Sequence, residues 1–343
     1  MTHERLEISK VRRLSRFRRW RGQYYELPVT SYQLPVTSYL FSLLTWTLIC
    51  LLAGCTGNAP PFVVVYTSQD QVYAEAILEH FTHETGIEVR AVYDSEAVKT
   101  VGLANRLLAE RPHPQCDIFW SNEELRTRQL AAHDVLREAN PWQAIGYRTR
   151  RLVINTNRLS LAAAPAALTD LTNAVWRGKM ALAYPLFGTT ATHFLALRQQ
   201  WGEERWQAWC RALQANRPFL VDGNSVVVNL VGRGEAWIGL TDSDDIAAGR
   251  RDGLPIAELP LTGETLIIRN TVAVVRGAPH AAAAEKLFDY LQRVEVAEKL
   301  VIANALEGVS ATSLTVPALK PDWNSLLRDL DAATAALKDI FLR

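Results

Sequence analysis

Cysteine is scarce in this 343-residue chain, with four in all, and two of those, Cys50 and Cys55, lie inside or at the end of an apolar N-terminal stretch. Only Cys116 and Cys210 remain beyond it. No C-x-x-C, H-E-x-x-H or Cys/His cluster is present, so nothing in the sequence implies a structural metal or a disulfide framework. Cys116 and Cys210 leave two readings open, a single disulfide or two buried thiols. A surplus of charge is also missing: the formal net charge is +1, which argues against nucleic-acid binding. There is no G-x-S-x-G, and none of the seven histidines falls in a triad motif, which removes the usual marks of a hydrolase nucleophile. What is present is ordinary for a soluble globular protein: 48% hydrophobic and 21% charged residues, in a chain long enough for two domains.

The near-neutral total hides an uneven distribution. Residues 1–22 carry eight Arg and Lys against two Glu, and the remainder is mildly acidic. The basic stretch precedes an uncharged apolar run, Tyr39 to Ala53, too short to span a bilayer, where about 20 residues are needed. Its length suits a signal-peptide core. Leu52-Ala53-Gly54-Cys55 resembles the bacterial lipobox, in which the cysteine is acylated and becomes the first mature residue. The expectation is an exported protein, periplasmic or on the cell surface, held to the membrane by lipid on Cys55; an uncleaved signal anchor is the alternative. The duplicated LPVTSY at Leu27–Tyr32 and Leu34–Tyr39 is too short for a solenoid and is read as part of a leader.

From Pro60 onward, short apolar strands alternate with helical patterns. Phe62–Tyr66 (FVVVY) is a continuous apolar run, as expected of a strand buried on both faces. A helix follows with Val72, Ala76, Ile77 and Phe81 on one face, ending at Gly86. Ile87–Tyr93 reads as a strand, Ala97–Glu110 as a helix and Asp117–Trp120 as a short strand. Further strands are expected at Arg151–Asn155, Met180–Ala183, Ala236–Leu240 and Thr265–Val275. Helices are expected at Thr190–Trp201, Glu203–Ala215, Val226–Arg233, Ala281–Gln292 and Asp322–Asp339. Units of this kind build parallel sheets. The chain is expected to leave one sheet, build a second and return, crossing near Arg148–Asn157 and Leu261–Asn270.

Ligands of open α/β sheets bind where strands end and helices begin, because helix N-termini expose unpaired N–H groups and a partial positive charge. Five junctions have that character. Ser68 and Gln69 follow the first strand, with Ser68 and Gln71 at capping-box spacing. Ser121 and Asn122 follow DIFW, with Ser121 and Glu124 similarly spaced. Gly188-Thr189-Thr190-Ala191-Thr192-His193 opens one helix, and Gly223-Asn224-Ser225 another. Thr241-Asp242-Ser243-Asp244-Asp245 follows WIGL. Each alone reads as a plain helix cap; five facing one cleft read as a binding site. Arg148 and Arg150 stand just before the crossing, where an arginine grips carboxylate or phosphate or is simply a hinge residue. His193, in a first turn, suits packing or hydrogen bonding rather than ligation. Tyr66, Trp120 and Tyr184 line the cleft or sit in the core.

VVVYTSQDQVYAEAILEHFTHETGIEV, AVYDSEAVKTVGLANRLLAE, DIFWSNEELRTRQL, PLFGTTATHF, GNSVVVNLVGRGEAWIGLTDSDD and NTVAVVRGAPH together resemble the family 1 extracellular solute-binding proteins of ABC importers, in the ferric-iron or phosphonate branch. The resemblance runs from about Phe62 to Ser313. It implies an α/β, periplasmic-binding-protein-like (type II) fold: two lobes joined by two crossover strands, closing on a ligand by a hinge motion. The corresponding division is a leader with lipobox (1–54), a linker (55–60), a first lobe (61–150 with 266–315), a second lobe (151–265) and a C-terminal helical segment packing on them (316–343). The ferric-iron receptors place adjacent tyrosines after the strand corresponding to Trp237–Leu240. Here Thr241-Asp242-Ser243-Asp244 stands there instead. Asp242 and Asp244 offer hard oxygen ligands; alternatively Asp244 or Asp245 caps the next helix and Asp242 meets a cationic group of the ligand. The His and Glu ligands of some members have no clear counterpart here, although Glu96 lies near the right region, and Thr189–Thr192 matches the place where relatives hold an anion or phosphate. Glu138–Tyr147 reads as a short loop before the hinge.

The implied function is capture of a small molecule or ion for ABC permease subunits, by a monomer with no cofactor and no catalytic residues. The ligand set is Ser68, Gln69, Ser95, Glu96, Ser121, Asn122, Arg150, Thr189, Thr190, Asn224, Ser225, Asp242 and Asp244. A ligand-sensing lipoprotein of the same fold is the alternative. A metal-dependent phosphate-ester hydrolase built on Asp242, Asp244 and Asp245 lacks companion acidic motifs.

Overall fold

The computed structural model describes residues 60–94, 100–314 and 317–342. The leader, Cys55, Ser95 and Glu96 lie outside the described residues. Nine strands form one continuous sheet that changes character halfway. On one side, β1 (Phe62–Thr67) lies parallel to both β2 (Glu88–Tyr93) and β3 (Ile118–Ser121), and β3 runs antiparallel to β9 (Ile267–Val274). On the other, β5 (Met180–Ala183) lies parallel to β6 (Phe219–Val221) and β7 (Ile238–Asp242). The strand β4 (Trp142–Asn155) joins them. Its first part, Trp142 to Thr149, pairs with β9, and its second, Arg150 to Asn155, with β7 and with β8 (Ile256–Leu259).

β1 earns its place as predicted for a strand covered on both faces. Val63 and Val65 pack beneath α1 (Gln71–Thr85) and α8 (Ala281–Leu291), while Tyr66 packs with Leu103 and Leu107 of α2 (Val101–Glu110). Gly86 ends α1 in a left-handed conformation (φ 71°) and returns its N–H to the Thr82 carbonyl, a conformation that costs a residue with a Cβ more than glycine. In the second lobe, α4 (Gly188–Trp201), α5 (Glu203–Ala215) and α10 (Trp323–Phe341) share a core that includes Phe194, Trp206, Trp209, Leu330 and Phe341. Cys116 and Cys210 are both buried and both free, so the disulfide reading is not realised.

Three expectations require correction. Glu138–Tyr147 is not a loop throughout, because β4 already begins at Trp142; a register shift between Ala144 and Gly146 had broken the periodicity. The N-cap of α1 is Asp70 rather than Ser68, whose hydroxyl is spent across the sheet on Asn122. The helix α3 (Glu124–Ala132) is capped by Glu123, whose carboxylate accepts from Leu125 N and Arg126 N, while Ser121 Oγ donates to the Glu123 carbonyl.

Close helix–sheet contact fixes the remaining site element, α6 (Asn224–Gly232), against β7. A Cβ placed on Gly239 would lie 2.4 Å from Val227 Cγ1. Gly239→Ala is therefore expected to destabilise the fold by about 1–3 kcal/mol in chemical denaturation, by pushing α6 and Asn224 off the strand; an unchanged midpoint would show that α6 moves without cost.

Candidate functional site

The strand ends on both sides of the sheet converge on one cavity of ≈ 40 Å³. A single water needs about 10–15 Å³ by this kind of measure, so in this form the cavity suits a compact group rather than a large solute. From the first lobe it is lined by Asp70 and Asn122, and from β4 by Arg148. From the second lobe come Tyr184, Phe187, Gly188, Thr189 and Thr190, then Asp222, Gly223 and Asn224, then Asp242, Asp244 and Asp245.

One wall is made of helix beginnings. α4 starts at Gly188, and α6 starts at Asn224 after a Gly223 N-cap. Gly188 takes φ 52°, which lets the chain turn sharply out of Phe187 with no side chain over the cavity. First-turn N–H groups have no partner within their own helix and carry the positive end of its dipole. Two such termini beside Thr190 and Asn224 form a wall suited to an anion.

Adjoining it, the lining is acidic. α7 (Ser243–Arg251) follows β7 directly, with Asp242 as its N-cap residue and Asp244 and Asp245 in its first turn. Asp242 makes no side-chain cap hydrogen bond. Instead, its Oδ1 accepts from Arg150 Nη1 at 2.7 Å, and its Oδ2 from Thr189 Oγ1 at 2.7 Å and Asn224 Nδ2 at 3.0 Å. Both oxygens are therefore committed to the protein's own groups, and Asp242 braces the site rather than facing a ligand. Asp244 Oδ2 accepts from Arg148 Nη1 at 2.9 Å, while its Oδ1 is buried without a partner.

Burial raises all three carboxyls, but their neighbours separate them. For Asp242 the Arg150 and Arg148 guanidinium groups and Thr189 outweigh burial and hold it below the usual range. Asp244 is pushed up to about 6 by burial, only partly offset by Arg148, with Asp242 and Asp70 adding to the rise. Asp245 is raised well above its ordinary value by burial and then by Asp244 and Asp242.

Of the residues picked from sequence, Asn122, Thr189, Thr190, Asn224, Asp242 and Asp244 line the cavity. Four others do not. Ser68 is bonded to Asn122, and Gln69 Oε1 accepts from Asn270 Nδ2 at 2.7 Å. Ser121 is closed off behind Glu123, and Ser225 points to solvent. Arg150 is fully buried beneath the wall, touching Thr189, Asn224 and Asp242, with Nε and Nη2 unpartnered. The arginine that reaches the cavity is Arg148, two residues earlier on the same face of β4. Asp70, Asp222, Asp245 and Phe187 were missed; Asp70 and Asp245 carried the available signal, as acids at strand-to-helix junctions.

His193 sits under this wall. It is fully buried, its Nε2 lies 2.7 Å from the Glu264 carbonyl, and its Nδ1 has no partner. That contact fixes the proton on Nε2 as donor and bears out the packing and hydrogen-bonding role. Burial and then Arg150 push its pKa down to about 3. The unfolded chain therefore binds a proton below about pH 6.5 that the folded chain refuses until about pH 3, so stability falls as pH drops through that window, by up to about 1.4 kcal/mol per unit. Asp244 runs the other way: kept protonated in the fold up to about 6, it favours the fold at the acidic end of the same window. The difference between wild type and His193→Gln isolates the imidazole. The variant is expected to lose about 2 kcal/mol less between pH 6.5 and 5 in urea titrations; parallel curves would rule this out.

The architecture is two α/β parts joined through β4, with strand ends facing one polar cavity. Residues 63–301 match the family model described as bacterial extracellular solute-binding protein, and the chain belongs to that family. It is 27% identical over 217 residues to the Fe(3+)-binding periplasmic protein of Serratia marcescens, covering 58% of this chain and 62% of that protein. The major ferric iron-binding protein of Neisseria meningitidis is 24% identical over 206 residues, covering 54% of this chain and 60% of the relative. The chain thus spans about three fifths of the curated relatives it matches. In structure it is similar to iron-bound HitA from Pseudomonas aeruginosa (TM-score 0.71, 20% identity, 82% of this chain and 99% of that one). It is also similar to the periplasmic binding protein AfuA from Actinobacillus pleuropneumoniae with fructose-6-phosphate bound (TM-score 0.70, 18% identity, 83% and 99%). The relatives are binding proteins, and the fold is the mixed α/β periplasmic-binding-protein fold.

Proposed function

We propose that this chain is the solute-binding subunit of an ABC importer, exported and lipid-anchored through Cys55, which captures a small solute by closure of one lobe (61–150 with 266–315) on the other (151–265) and delivers it to a permease. The observation that carries the ligand class is the two-sided cavity: helix N-termini at Gly188–Thr190 and Gly223–Asn224 on one wall, Asp244 and Asp245 on the other. Such a cavity matches a compact solute with an anionic and a cationic end, such as an aminophosphonate. The relatives that carry ferric iron or a sugar phosphate support a ligand with an anionic or metal component at this place.

A second reading, ferric ion held with an anion, is favoured by the grouping of Asp242, Asp244 and Asp245, whose oxygens lie within 4.8 Å of one another. A melting screen against aminophosphonates, phosphate, phosphate esters, ferric citrate and ferric ion with carbonate separates the two. A ligand at 100 times its Kd adds about 2.7 kcal/mol of stability, a rise of roughly 5 °C or more at this chain length. A rise with zwitterions supports the first reading, a rise with ferric ion alone the second, and no rise with any compound removes both.

The anchor has its own test: Cys55→Ala is expected to release the protein from the membrane fraction and abolish incorporation of labelled palmitate. Retention of either would sink the lipid reading.

A further inference from the structure

Arg148 both lines the cavity and ties the two lobes together. It is 5% exposed. Its Nη2 donates to the Asn122 carbonyl at the end of β3 at 3.0 Å, and its Nη1 to Asp244 Oδ2 on the second lobe at 2.9 Å. Its Nε lies 3.4 Å from Asp242 Oδ2. A guanidinium surrounded by two carboxylates and a carbonyl occupies the kind of oxygen-rich position that a metal ion would take.

We propose that Arg148 is the specificity-determining residue of the cleft: its guanidinium stands as a built-in cation among Asp242, Asp244 and the Asn122 carbonyl, so that the acidic wall accepts a cationic group carried by an organic solute and excludes bare metal ions. This rests on the solute-binding reading above and sharpens it.

Two further observations point the same way. The acids nearest the cavity are already balanced, since Asp242 pairs with Arg150 and Arg148, and Asp244 with Arg148. Both Asp242 oxygens already accept from the protein, Oδ1 from Arg150 and Oδ2 from Thr189 and Asn224, which leaves less for a metal. Asp244 Oδ1 remains, buried and unpartnered, beside the half-buried Asp245, with Asp70 and Asp222 elsewhere on the lining. One or two oxygens suffice to accept from an ammonium group, whereas a hard trivalent ion requires several anionic oxygens at once. A metal could gather them only by expelling Arg148 from its hydrogen bonds to Asp244 and the Asn122 carbonyl.

The test is titration of the full-length protein, in mild detergent, with Tb³⁺, an oxygen-seeking trivalent ion whose emission an adjacent tyrosine sensitises; Tyr184 lines the cavity. Emission is scored as cleft binding only where Asp244→Asn abolishes it. Wild type is expected to show no saturable cleft emission in the micromolar range. Arg148→Gln should bind Tb³⁺ at least about tenfold tighter, and Arg148→Lys, which restores the charge, should again exclude it. Cleft emission from wild type as strong as from Arg148→Gln would overturn the proposal, as would a folded Arg148→Gln that gains nothing. If circular dichroism shows that Arg148→Gln does not fold, the wild-type titration decides: saturable cleft emission refutes, its absence supports. No organic ligand enters this experiment, so a failure of the solute reading shows in the melting screen and not here.

Discussion

Arg150→Met is expected to destabilise the protein by about 3–5 kcal/mol, the cost of leaving a buried charge without its partner. Arg150 is wholly inaccessible and donates to Asp242 Oδ1 at 2.7 Å. Asp242 itself is 1% exposed, so water cannot replace the lost bond. Arg148 Nε, at 3.4 Å from the other oxygen, is too far to substitute for it. The same reasoning predicts that the pair is worth less than either half suggests. Arg150 keeps Nε and Nη2 buried and unsatisfied, a cost that vanishes with the side chain. Arg150→Met with Asp242→Asn should therefore recover part of the loss, with a coupling energy of at least about 1 kcal/mol in a double-mutant cycle. Additive losses in urea unfolding would show that the two charges do not brace one another.

Thr190→Asp is expected to weaken binding of an anionic or zwitterionic solute at least about 100-fold while leaving the fold intact. Thr190 lies in the first turn of α4, where an acid complements the helix dipole. The same carboxylate would stand where the solute's anionic group sits. Two like charges about 4 Å apart repel by roughly 4 kcal/mol at a dielectric typical of protein sites, more than enough for that loss. Thr190→Val, which removes only a hydroxyl, should cost about tenfold or less. Calorimetry on the ligand found by the melting screen separates these values. Equal affinities for Thr190→Asp and wild type would remove the anion from this wall.

The legible part of the fold was the part carried by local pattern. Phe62–Tyr66 announced a buried strand, and Met180–Ala183 and Glu203–Ala215 appear with the expected bounds. The short strands β6 and β8 left no mark, because three residues of FLV and four of IAEL cannot show a period. The Trp142–Tyr147 stretch was hidden by its bulge and by Gly146, which packs so tightly that a Cβ there would lie 2.4 Å from Leu306 Cδ1.

At the candidate site, residues from the polar junctions after the strands line one cavity, because the fold brings these strand ends together. What sequence could not supply was the division of labour within them. Arg148 and Arg150 share a face of β4, while Thr149 and Arg151 on the other face bond to Glu307. Which of the first two reaches the cavity depends on how deeply β4 lies under the second lobe, a long-range fact. Asp242 likewise reads as a ligand-facing acid until the pairing of β4 with β7 sets Arg150 directly opposite it.

The proposed site is a cavity with an anion-binding wall and a cation-binding wall. The most direct measurement compares, by calorimetry on the wild-type protein, 2-aminoethylphosphonate with ethylphosphonate and ethylamine. Saturable binding of the first is expected, with losses of at least about tenfold for each truncated compound, since either leaves one wall without its partner. Binding of ethylphosphonate as tight as that of the zwitterion, or no binding of the zwitterion at all, would contradict it.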